Sequence, residues 1–121
     1  MPEDLALLAA RIDALILDRE SASSPALLAK LEHTLTDGYA RALELEAARW
    51  RMEREITELA ARISTSDDAE ELRVLVDRLG VADRELGQLR TRLQRLRQRV
   101  DSVRATLAHE DAYVRASEAA G

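Results

Sequence analysis

Between Leu72 and Val114 an apolar residue returns every three or four positions for six heptads without a slip. The a positions are Leu72, Leu79, Leu86, Leu93, Val100, Leu107 and Val114, and the d positions are Leu75, Ala82, Leu89, Leu96, Val103 and Glu110. Twelve of these 13 are apolar, where the overall 46% hydrophobic content would give about six by chance. Only a repeat near 3.5 residues keeps one stripe facing a partner helix over such a length, so this stretch demands a long helix packed in a coiled coil.

Few other elements fit. Trp50, Tyr39 and Tyr113 are the only aromatic residues, Phe is absent, and four Gly and two Pro leave little material for turns. A chain rich in Ala, Leu, Glu and Arg with so few rings is composed for long helices rather than for a thick globular core. At 121 residues one domain, 1–121, is expected.

Helix 1 is expected over about 3–19. Pro2 suits a first turn, Glu3 and Asp4 suit the positive end of the helix dipole, and Leu5, Leu8, Ala9, Ile12, Leu15 and Ile16 form one apolar stripe. Ser21 to Pro25 breaks it, with Ser24 as an N-cap and Pro25 at the first position of helix 2. Helix 2 is expected over about 25–63, with a positions Leu28, Leu35, Ala42, Arg49, Ile56 and Ile63 and d positions Leu31, Gly38, Leu45, Met52 and Leu59. The heptad keeps its phase through Gly38, which argues for one continuous helix despite a cost of about 1 kcal/mol against Ala. Ser64 to Asp68 is the second break, Ser66 or Asp67 being able to cap and Glu70 or Glu71 to complete a capping box. Helix 3 follows over about 68–117, roughly 75 Å of helix.

So short a break forces helices 2 and 3 side by side and opposed. The expected fold is all-α: a long antiparallel coiled-coil hairpin with the short first helix packed at one end. The register that pairs a with d sets Arg49 against Ala82 and Gly38 against Leu93, and brings Glu55 near Arg78 and Glu32 near Arg97. Helix 1 then covers only part of helix 2, leaving a second stripe of Ala40, Leu43, Ala47 and Trp50, for which homodimerisation is the simplest use.

The residues offer little for catalysis. Gly38, Gly80, Gly87 and Gly121 stand in no phosphate-binding loop, and His33 and His109 lack partners at metal-ligand spacing: the residue that would complete HExxH after His109-Glu110 is Tyr113. There is no Cys, hence no thiolate zinc site and no disulfide. No Glu-x-x-His occurs to build a di-metal bundle. No enzyme, no metal and no cofactor is expected. An acidic start and the absence of an apolar run near 18 residues point away from a signal peptide or membrane span and toward the cytoplasm. The bias to 17 Arg against one Lys fits a GC-rich, bacterial genome.

Two surfaces remain as candidates. Tyr39, Leu43, Arg49, Trp50 and Arg51 on helix 2 would bind protein, an exposed Trp flanked by Arg being a common contact residue. A partner would present an amphipathic helix to this side. Arg90, Arg92, Arg97, Arg99 and Arg104 flank the helix 3 seam at e and g and would bind an anion, nucleic acid or nucleotide, because guanidinium forks suit phosphate. Their bland reading is that they neutralise acidic flanks of helix 2. A net charge of -5 and the lack of interleaved aromatics speak against nucleic acid. The expected function is thus a non-enzymatic, self-associating protein-interaction or regulatory module, with the anion-binding arm as the alternative.

Overall fold

The computed structural model describes residues 4–120. Helix makes up 90% of the described residues, in three elements and with no strand among them: α1 (Leu5–Leu17), α2 (Pro25–Ala61) and α3 (Ser66–Ala120). Pro2 and Glu3, expected in the first turn, lie outside the described residues. Asp4 caps α1 instead, its carboxylate accepting from the Ala6 N–H at 3.2 Å.

α1 stops at Asp18, whose backbone turns extended and whose carboxylate accepts from the N–H groups of Glu20 and Ser21. Ser24 Oγ accepts from Leu27 N–H at 3.1 Å and so opens α2 with Pro25 as its first residue. At α3 the cap is Thr65, not Ser66 or Asp67. Thr65 Oγ1 accepts from Asp68 N–H, while the Asp68 carboxylate reaches back to the N–H groups of Ser64 and Thr65. This is a capping box closed by Asp68 itself rather than by Glu70 or Glu71, because a box spans three residues and Asp68 stands third after Thr65.

The chain forms two compact units. Unit 1 joins the residues up to Tyr39 with those from Thr91 onward, and unit 2 is Ala40–Arg90. In unit 1, Leu8, Ile12 and Leu15 form the buried stripe of α1, at a spacing that returns to one helix face. They share the core with Leu31 and Thr34 of α2 and with Leu93, Leu96, Val100 and Val103 of α3. Gly38 lies where the three helices meet: a Cβ placed there would stand 2.2 Å from Leu93 Cδ2 and 3.7 Å from Ile12 Cδ1. α2 runs unbroken through this glycine. Thr34, the one buried polar side chain among the described residues, donates to Lys30 O at 2.9 Å and accepts from Arg11, so its burial leaves no orphan hydroxyl.

Gly38 faces Leu93, and Glu32 pairs with Arg104. Every described residue from Ala108 onward is exposed, Val114 of the heptad seam by 51%.

Unit 2 consists of two helix segments and the turn between them. Ala42, Leu45 and Leu59 of α2 are buried with Ala82, Leu86 and Leu89 of α3. Nearer the turn, Ile56, Leu72 and Leu75 are only half buried, and Ile63 is exposed.

Candidate protein-interaction surface

Seen in heptad positions, unit 2 has two unlike flanks. On the e side Glu46 pairs with Arg90. Arg49 reaches to the same side, its Nε 2.7 Å from Asp83 Oδ1, an ion-pair distance off the N–H direction. Arg49 therefore extends outward past its apolar a position, with Glu53 3.4 Å away on the other side. The g side is different. Leu45, Ala48 and Met52 of α2 and Val74, Val81 and Ala82 of α3 line an open groove of about 450 Å³, with Asp77, Arg78 and Glu85 at its rim. Val74 and Val81 are 42% and 44% exposed in it.

No known protein family, curated protein or solved structure matches the chain.

Of the five residues expected to bind protein, Tyr39 belongs to unit 1 and the other four to unit 2. Leu43 and Trp50, at successive b positions, are 66% and 64% exposed, and the Arg54 guanidinium lies 5.9 Å from the Trp50 ring centroid, within cation–π range. Arg51 is exposed with them, Arg49 is turned to Asp83, and Tyr39 belongs to unit 1. A shallow hollow here is lined by Trp50 together with Glu53, Arg54, Thr57 and Glu58. The apolar groove uses other residues of α2.

Of the five arginines, Arg90 belongs to unit 2 and the other four to unit 1, each with a partner of its own. Arg90 is held by Glu46 in unit 2. In unit 1, Arg92 Nε donates to Asp13 at 3.0 and 3.2 Å, and Arg99 donates to the carbonyl of Asp18. Arg104 pairs with Glu32 at 3.4 Å. The Tyr39 phenol and the Asp101 charge near Arg97 lift its guanidinium pKa above the ordinary value. The g arginines thus fasten α1 and the e arginines fasten α2. Glu32 was expected beside Arg97 and instead meets Arg104, one heptad further on.

Arg11 adds a third tie in unit 1, donating to Asp37 at 2.8 Å. That bond, aided by the charge of His33, holds the Asp37 carboxyl below the usual range against a small opposing effect of burial. Among the described residues no three His, Cys, Asp or Glu gather as a metal site, and no helix is long and apolar enough to cross a membrane.

The groove does not follow from the a and d positions, which carry the heptad signal. Its own signal was present: Val74 and Val81 occupy successive c positions of α3, where a solvated helix carries polar residues, and Ala48 holds the facing g position.

Proposed function

We propose that this chain is a cytoplasmic, non-catalytic coiled-coil interaction module, an antiparallel hairpin of α2 and α3 that receives an amphipathic helix in the groove of unit 2. The observation that carries this reading is the asymmetry of the two flanks: the e side is closed by ion pairs, while the g side presents Leu45, Ala48, Met52, Val74 and Val81 around open space. Support for the hairpin comes from Glu46–Arg90 in unit 2 and from Glu32–Arg104 and Tyr39–Arg97 in unit 1. Each joins an e position to an e position, the pairing that opposed helices make. In unit 1 the g flank carries α1, tied there by Arg11 to Asp37 and by Asp13 to Arg92. The arginines of α3 serve the fold in this reading and do not form a phosphate site.

The test is site-specific photocross-linking in cells that make the protein. A photoreactive side chain at position 81 or 48, inside the groove, should give a covalent adduct, and one at position 47 on the exposed outer face of α2 should give none. Absence of any adduct at 81 and 48, or equal adducts at 47, would refute the groove as a docking site.

A further inference from the structure

In the groove of unit 2, which rests on the reading just given, we infer that the occupant is the same surface of a second copy, the α3 ridge of each chain entering the groove of the other. Three observations select this occupant.

The first is area. The chain exposes 8547 Å², where a folded monomer of its mass exposes roughly 6500 Å². A standard interface removes about 800 Å² from each partner. The exposed end of α3 accounts for part of the excess, and on the g flank of unit 2 Val74 and Val81 add exposed apolar surface of their own.

The second is charge. At its g and c positions the α3 ridge beside the groove reads Glu71, Val74, Arg78, Val81, Glu85, the g charges alternating in sign, with Asp77 at the f position next to Arg78. Such a ridge complements itself when reversed. With a two-fold axis beside Val81, Arg78 of each chain meets Glu85 of the other, and the two valines face one another across the axis. Every rim pair occurs twice, as closed two-fold symmetry requires.

The third is that α1 borrowed from a second copy fits poorly. In unit 1, α1 offers Arg11 to Asp37 and Asp13 to Arg92. The equivalent positions one heptad into unit 2 are Glu44 and Glu85, and two heptads in they are Arg51 and Arg78. In the first frame Asp13 would meet a glutamate, and in the second Arg11 would meet an arginine. Like charges brought together at an interface oppose the wrong partner.

The chain has no cysteine, so a single introduced thiol reads the axis directly. Purified Val81→Cys should form an intermolecular disulfide under mild oxidation about tenfold faster than Ala47→Cys, since only the first thiol sits beside its own copy. The unmodified protein should scatter light as a dimer, twice the 13.5 kDa of the chain. Arg78→Glu alone and Glu85→Arg alone should each weaken the dimer about tenfold, because symmetry places two like pairs across the axis. The combined swap should return it to within about threefold of the starting affinity. A monomer at every concentration overturns the inference, as does a disulfide no faster at 81 than at 47, or a double swap as weak as its parents. Failure here differs from failure of the groove: a position 81 photoadduct with another protein removes the second copy and keeps the groove, whereas no adduct at all removes both.

Discussion

Replacing Gly38 with alanine sets two effects against each other, and the structure decides which is larger. In a helix interior the change from Gly to Ala is worth about 1 kcal/mol in favour of folding. At Gly38, however, the new Cβ would stand 2.2 Å from Leu93 Cδ2 and 3.4 Å from Leu93 Cγ. Leu93 is 2% exposed and Ile12 Cδ1 waits 3.7 Å from the same point, so the leucine has to move more than an ångström inside a filled core. Overpacking of this kind costs about 1–3 kcal/mol. The expected net result for Gly38→Ala is a loss of about 1 kcal/mol. Gly87→Ala is the matched comparison, because a Cβ at Gly87 meets nothing within 4 Å, and it should gain about 1 kcal/mol. Urea unfolding followed by far-ultraviolet circular dichroism measures both, and the two alanines should differ by about 2 kcal/mol in opposite directions. Leu93→Val, which shortens the opposing side chain, should relieve most of the penalty when combined with Gly38→Ala. If Gly38→Ala stabilises as much as Gly87→Ala, the close approach of α2 to Leu93 is wrong.

Three further outcomes are expected. Thr65→Ala removes the hydroxyl that accepts from Asp68 N–H and should cost about 1 kcal/mol in the same unfolding assay; an unchanged midpoint would mean that the cap contributes nothing. Because the Asp37 carboxyl is depressed below its ordinary value near 3.8, its contribution is complete above that pH and is lost as acid takes it down through the folded value. Asp37→Asn should therefore lower the melting temperature slightly at neutral pH and flatten its fall below pH ~4, the effect being at most about 0.5 kcal/mol for a pair this exposed. Trp50 is 64% exposed on a face remote from the g flank, so acrylamide should quench its fluorescence equally at high and low protein concentration. Protection on concentration would place the contact on the Leu43–Trp50 stripe instead.

The helices were legible because their signals are local and repeated. The heptad run of α3, the serine-rich break with Ser24 and Pro25, and the unbroken phase through Gly38 all read directly in the sequence, and three helices follow from them. Partner choice on the flanks was harder. Helical side chains lean toward their own N-terminus. In the proposed hairpin, where α2 and α3 run opposed, long chains that lean this way meet partners lying C-terminal to the ones level with them. That lean carries Glu32 past Arg97 to Arg104 and leaves Tyr39 for Arg97. The site was the least legible part. Whether an arginine is spare or committed depends on acids far away in the chain: Asp13 and Arg92 are separated by 79 residues. An exposed tryptophan attracted notice that two valines at c positions did not.

The uncovered end of α3 has a consequence of its own. Past Leu107 the helix receives no tertiary support, so each amide there is protected only by the turns that precede it. Hydrogen exchange along this end should fall off as a gradient, slow at Val103 and faster with each turn toward Ala120, instead of dropping in one cooperative step. A single chain would then carry its own scale of helix fraying, read residue by residue against a fixed anchor.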